Sequence, residues 1–353
     1  MFYYKLLALL KLKNPQTLFW FYRKNCFKRS GITMKAIRVS KFGGPEVLQY
    51  EENVDVPKPK NTEVLVKVMA VGVNPVETFI RAGQYDTELP FTPGTDAAGI
   101  VENVGSSVKR FKKGDRVLTV RSRSGAYAEY TAVDEKFVCQ LHERLSFDQG
   151  AAMGIPFYTA YKCLMFRADA KEGETVLIHG ASGGVGTACI QIAKAHGMRV
   201  FGTAGSGAGL ELVKKLGADA VFNHKEKGYT DKIMAATEGD GVDVIVEMMA
   251  STNLQKDLEM INYHGRIVNV GGKGQVKINP GLTLGKECII TGVAILSSSE
   301  ADVMKMHNAM EDGMKEGWIN PCVNKTFPLA KASQAHEEIA HNKGALGKII
   351  LRT

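Results

Sequence analysis

The chain has 353 residues, 44% hydrophobic and 23% charged, a globular composition with room for two domains and no sign of a low-complexity polymer. Its formal net charge of +8 is concentrated at one end: residues 1–33 hold seven of the 45 Lys and Arg and no acid, and the rest sets 38 bases against 37 acids. A body so near neutrality gives no ground for nucleic acid as the main partner.

Residues 1–33 are basic, apolar and aromatic, but contain no run of about 18 apolar residues, so no stable membrane insertion is expected. They read either as a mitochondrial targeting segment or as a plain tail, and in both cases stand outside the fold. From Met34 to about 155 the pattern is short strands with Gly and Pro punctuation: 63–73, 96–105, 115–120 and 125–133, with little helix. This is the signature of a partly open, β-barrel-like domain over 34–155.

From 156 to 295 the rhythm changes to strand, helix, strand. Strands are expected at 174–186, where the strand runs into glycines, and at 199–205, 220–224, 242–249, 266–272 and 288–296, with helices at 187–197, 209–218 and 229–238 between the earlier ones. Repeated βαβ units predict a doubly wound parallel sheet. The tail, 296–353, holds a helix near 300–316 and a last apolar strand at 348–352, placed to return to the first domain. Six scattered cysteines (Cys26, Cys139, Cys163, Cys189, Cys288 and Cys322) form no metal-knuckle spacing and read as reduced thiols.

The strongest chemical signal is HGASGGVG at 179–186. Read as G-x-G-x-x-G it has Ala181 at the first position, then Gly183 and Gly186. A β-branched strand runs in and an amphipathic helix runs out. In that setting the glycines let backbone approach a pyrophosphate at a helix N-terminus, where free N–H groups favour an anion. An NAD site places an acid about 20 residues on, at the end of the second strand. Here Val200 to Gly209 contains none, which favours NADPH, with Ser206 and His224 within reach of a 2′-phosphate.

FGGPEVL (42–48), GVNPVET (72–78), TPGTDAAGIVENVG (92–105), FKKGDRV (111–117) and GIPFYTAY (154–161), together with HGASGGVG, FNH (222–224) and INP (278–280), resemble the zeta-crystallin-like quinone reductases, a zinc-free branch of the medium-chain dehydrogenases/reductases. The resemblance covers about 34–353. It implies an α/β protein with a GroES-like β-rich catalytic domain and a Rossmann domain, with the active site between them. It also implies that NADPH is held by Ser182, Gly183, Gly184, Val185, Gly205, His224 and Asn253, by Val270, Gly271, Gly272 and Lys273, and by Val293, Ala294 and Ile295. Phe79 stands where the family often has Tyr; it keeps a stacking face and loses the hydroxyl.

Zinc dehydrogenases of the superfamily carry Gly-His-Glu where this chain reads Gly94-Thr95-Asp96, and a Cys near Asn74. Between Met34 and Leu141 the chain has one cysteine, Cys139, and no histidine, so no catalytic zinc is expected. Without a Lewis acid, reduction of an already electrophilic acceptor remains feasible. Asn74, as an amide donor, and Tyr85, as an acid or hydrogen-bond donor, are the candidate catalytic groups, each with a turn or loop role as the alternative. Glu77 reads as an orienting group or a surface acid.

The expected activity is NADPH-dependent quinone reduction. Reduction of α,β-unsaturated carbonyls or enoyl thioesters is the alternative within the class, and the resemblance implies AU-rich mRNA binding or a crystallin-like structural role as the secondary reading outside it. The resemblance implies a homodimer or homotetramer, and 288–296, which looks like an apolar edge strand, agrees with pairing between copies. The expected location is cytoplasmic, or mitochondrial if residues 1–33 act as a presequence.

Overall fold

The computed structural model describes residues 31–341 and 344–353. The chain divides into Met1–Thr33 and Met34–Thr353, and the architecture is that of the second unit. The basic head segment, with Cys26, falls almost wholly outside the described residues.

The first layer is built from β1 (Thr33–Arg38), β2 (Gln49–Asp55), β3 (Glu63–Val73), β4 (Asp96–Val104), β5 (Arg116–Thr119), β6 (Tyr130–Asp134) and β7 (Val138–Gln140). The second is built from β8 (Thr175–Ile178), β9 (Arg199–Ala204), β10 (Ala220–Asn223), β11 (Val242–Glu247), β12 (Ile261–Asn269) and β13 (Ile289–Gly292). Two strands from the tail, β14 (Val323–Pro328) and β15 (Lys348–Arg352), complete the set.

The second sheet runs β10-β9-β8-β11-β12-β13 with every pair parallel. In domain order that is 3-2-1-4-5-6, so the winding reverses between β8 and β11, and a crevice opens beyond their C-terminal ends. Both faces of this sheet are covered, and alternate residues enter different cores. Val176, Ile178, Val244 and Val246 join one cluster, while Leu177 and Ile245 join the other. The α/β class and the doubly wound sheet are as the sequence indicated.

The other large sheet runs β14-β15-β3-β4-β5-β7, with β6 also on β3. β15 lies antiparallel to β3, pairing Ile349 with Val73 and Arg352 with Ala70. This region is richer in helix than the strand pattern suggested. Helices occupy Pro75–Arg81, Phe147–Ala151 and Gly154–Tyr161. The segment 125–133 is strand only in its second half, and 288–296 is strand only over Ile289–Gly292. The first helix escaped notice because it is two turns long and opens on Pro75. Its sequence signal was local: Pro at the first helical position, and a capping box in which Asn74 pairs with Glu77.

Candidate active site

β8 delivers the chain to Gly180, whose φ of +57° makes the turn. Gly183 then stands in extended geometry at the N-cap of the helix Gly184–Ala195 and offers no side-chain cap. The N–H groups of Gly184, Val185 and Gly186 are therefore open at the helix N-terminus. A β-carbon on Gly186 would lie 2.5 Å from the Gly180 carbonyl, so that glycine lets the helix close on the strand. Gly183 and Gly184 differ: their nearest neighbours would be 3.4 and 3.5 Å away. A side chain there would fill the space that the backbone lines, and both glycines border a cleft of about 540 Å³.

This donor set fits a dinucleotide. The loop offers backbone N–H groups to a pyrophosphate. His224 borders the same cleft, packed beside Gly205, where a β-carbon would come within 2.6 Å of Nε2. Burial, with His179, Lys225 and Lys256 nearby, holds the His224 imidazole below its ordinary value.

The remaining cofactor candidates are placed as follows. Asn253 turns inward, its Nδ2 donating to Glu247 Oε1 at 3.3 Å. The Val270 N–H donates to the Glu247 carbonyl at 2.8 Å, which brings the turn Val270–Gly272 against the end of β11. Lys273 Nζ lies 4.0 Å from the centre of the Phe79 ring, a cation–π contact between the two domains. Val293 follows β13 and its N–H donates to the Asn269 carbonyl at 3.0 Å, while the Ala294 carbonyl accepts from Lys162 Nζ at 2.9 Å. Val293, Ala294 and Ile295 do not border the cleft as it stands.

The opposite wall holds Asn74, which is 1% exposed. Its Nδ2 donates to Asp96 Oδ2 at 2.9 Å and reaches Glu77 Oε1 at 3.3 Å. Its Oδ1 accepts from Lys348 Nζ, which also donates to Asp96 Oδ2 at 3.4 Å. Glu77 is buried here as an orienting group. It accepts from the Asn74 N–H at 2.8 Å, the Tyr127 hydroxyl at 2.7 Å and the Thr95 N–H at 3.2 Å. Burial, then the neighbouring Asp96, raises the Glu77 carboxyl above its usual range. Behind it the Tyr127 hydroxyl meets His336 Nε2 at 2.9 Å, and His336 Nδ1 meets Arg81 Nη1 at 3.1 Å. Tyr85, by contrast, is half exposed on the loop after the first helix and does not border the cleft.

Two further groups were not singled out from sequence. Lys348 opens β15 and carries no local motif. His179, Glu247 and Asp257 form a buried cluster beneath the phosphate loop, with His179 Nε2 3.0 Å from Asp257 Oδ1 and 3.6 Å from Glu247 Oε2. His179 heads the glycine motif itself, which was the available hint. Among the described residues this is the one group of three that could hold a metal, and it lies apart from Asn74, Thr95 and Asp96.

Comparison with known proteins places this geometry. Residues 60–143 match the alcohol dehydrogenase GroES-like domain, and 184–311 match the family model described as zinc-binding dehydrogenase. A quinone oxidoreductase of Sus scrofa is 51% identical over 320 residues, spanning 90% of this chain and 97% of its own length. The chain belongs to the quinone oxidoreductases of the medium-chain dehydrogenase/reductase superfamily. A quinone oxidoreductase of Homo sapiens is 49% identical over the same shares of both chains. Among solved structures, the Escherichia coli quinone oxidoreductase complexed with NADPH superposes with a TM-score of 0.82 at 31% identity, covering 90% of this chain and all of that one. For a member of this family the zinc-ligand positions are the telling ones. Asn74, Thr95 and Asp96 supply neither thiolate nor imidazole, and a lysine ammonium is seated between two of them.

Proposed function

We infer that this protein reduces quinones with NADPH, without a catalytic metal, in the cleft bordered by the phosphate loop and Asn74. The observation that carries this reading is the pairing of an anion-receptive helix N-terminus with an opposite wall that holds an amide, a lysine and two carboxylates but neither thiolate nor imidazole. Bound there, NADPH supplies a hydride. The chain's own residues do the rest. Gly183 and Gly184 would hold the pyrophosphate side, and His224 would meet the 2′-phosphate. Phe79 and Lys273 border the domain junction, Asn253 and Val270–Gly272 frame the end of β11, and Val293–Ile295 stand off the cleft wall. Asn74 fixes the geometry of the opposite wall, while Tyr85 stands outside the cleft.

The test is a steady-state comparison of quinones and enones, each with NADPH and NADH. Quinones with NADPH should give the highest kcat/KM. Enones outperforming quinones would replace this reading with the unsaturated-carbonyl reductase. Equal kcat/KM for the two nucleotides would refute the cofactor assignment.

Among the described residues no helix is long and apolar enough to cross a membrane. For assembly, the edge position of β13, with Ile289 56% exposed, supports pairing with a second copy in a dimer or tetramer. A monomer mass by light scattering at micromolar concentration would refute it. RNA remains a secondary partner at most, given the near-neutral body, and a salt-dependent binding curve competed by NADPH is its test. A cytoplasmic location is proposed, or a mitochondrial one if residues 1–33 direct import; imaging the chain with and without them decides.

A further inference from the structure

We propose that Lys348 is the cation of the reaction: its ammonium, seated on Asn74 and Asp96, receives the negative charge that develops on the acceptor's oxygen as the quinone is reduced. The proposal rests on the quinone-reductase reading above.

Lysine is seldom buried, and a buried ammonium needs partners that offset its lost hydration. Lys348 is 5% exposed, yet it borders the cleft together with Asn74 and Gly184. Burial lowers its ionisation from the ordinary value, and the neighbouring Asp96 and Glu77 act against that. The seat is built for this side chain. A β-carbon on Gly72 would come within 2.8 Å of Lys348 Cε, and one on Gly154 would overlap the Asp96 carboxylate. Two glycines from separate segments thus clear room for the pair. Asp96 is fixed from its other oxygen, Oδ1 accepting from the Ile155 N–H at 2.9 Å.

The donors decide the assignment. The Asn74 amide is committed, Oδ1 to Lys348 and Nδ2 to Asp96 and Glu77, so Asn74 is a positioning residue with no free N–H for an acceptor. The ammonium has three N–H groups, and the two partners named account for two. Among the described residues bordering the cleft, Lys348 is the one lysine or arginine. A fixed positive charge in a water-poor site stabilises a developing oxyanion without reorganising. In the overall step the quinone gains a hydride, with its two electrons, from the nicotinamide carbon of NADPH, whose C–H bond breaks. The product is a hydroquinone monoanion and NADP⁺, and solvent supplies the second proton. Lys348 keeps its own proton throughout.

The experiment uses 4-nitrophenol, a coloured phenol whose anion mimics the hydroquinone monoanion, with the NADP⁺-bound protein. Bound 4-nitrophenol should ionise at a pH about one unit lower than in solution. Lys348→Met should abolish that shift, and Lys348→Arg should keep part of it. With quinones and NADPH, Lys348→Met should lower kcat/KM on the order of 10²-fold while the NADPH Kd changes less than threefold. If Lys348→Met does not fold, Lys348→Met/Asp96→Asn removes both charges together and takes its place. An unshifted nitrophenol on the wild-type protein, a shift that survives in the folded variant, or a loss carried wholly by NADPH affinity would each overturn the proposal. The last result would give the ammonium to the pyrophosphate instead. Wild-type protein that reduces no quinone would fail the broader reading, whereas active wild type with an unaffected Lys348→Met fails this one alone.

Discussion

Replacing Asp257 by Asn should change how the protein's stability depends on pH. Glu247 and Asp257 are both fully buried, and each has one oxygen, Oε2 and Oδ2 respectively, with no hydrogen-bond partner. Two facing carboxylates with spare acceptors and no spare donor are satisfied by holding one proton between them. Burial, the leading cause, accordingly pushes both carboxyls up to about 7. The native state therefore binds more protons than the unfolded chain between about pH 4 and pH 7. The contribution to stability is complete below the unfolded values and is lost as pH rises through the folded one. For one proton on the Glu247 side, a rise from the ordinary 4.5 to about 7 corresponds to roughly 3 kcal/mol. The amide introduced by Asp257→Asn would supply N–H donors to Glu247 and remove the need for the shared proton. Thermal or urea unfolding of both proteins at pH 5, 6, 7 and 8 measures the effect. The stability difference, variant minus wild type, should grow over that range in favour of the variant, by less than about 3 kcal/mol because Glu247 stays buried. Burial holds His307 near 4 and His336 near 3, and these pull the other way; the subtraction cancels them. A difference that stays flat with pH would refute the shared proton.

Three further outcomes test the site. Gly183→Val should abolish NADPH binding in a folded protein, because the nearest atom to the new β-carbon is 3.4 Å away and the branches enter the cleft; normal titration by nucleotide fluorescence would relocate the phosphate loop. His224→Ala should weaken NADPH more than NADH, and equal effects on the two Kd values would remove His224 from the 2′-phosphate. Tyr85→Phe should lower kcat/KM about tenfold or less, near 1.4 kcal/mol, as befits a half-exposed side chain; a loss beyond 10²-fold would make it an essential acid.

The nucleotide half was legible because its signals are local and repeated. Each strand of the parallel sheet is an apolar run bounded by glycine, and HGASGGVG marks one strand–loop–helix unit without help from the rest of the chain. The opposite wall was less legible. Asn74 and Glu77 declare a helix start, but what Asn74 holds is Lys348, 274 residues away in sequence. Lys348 itself reads as an ordinary charged residue opening an apolar strand. Its burial arises only when β15 lands on β3, and no periodicity encodes that event. The Glu247–Asp257 cluster was hidden for a related reason. One acid ends a strand and the other lies within an amphipathic helix, where an acid usually faces water.

The position of β15 has a consequence for how the enzyme assembles. It fills the sheet between β14 and β3, and the Gly347 N–H also donates to the Ser182 carbonyl of the phosphate loop at 2.7 Å. One short strand therefore stitches the catalytic sheet to the nucleotide domain and seats the cleft's lysine at the same time. The nucleotide sheet needs none of this, since its strands follow one another through local βαβ steps. Long-range pairings are slow because the loop they close is disordered until they form. The nucleotide sheet should thus gain amide protection early in refolding and β3–β15 late, so that a chain still acquiring its last strand has a fold for the cofactor before it has a site for the reaction.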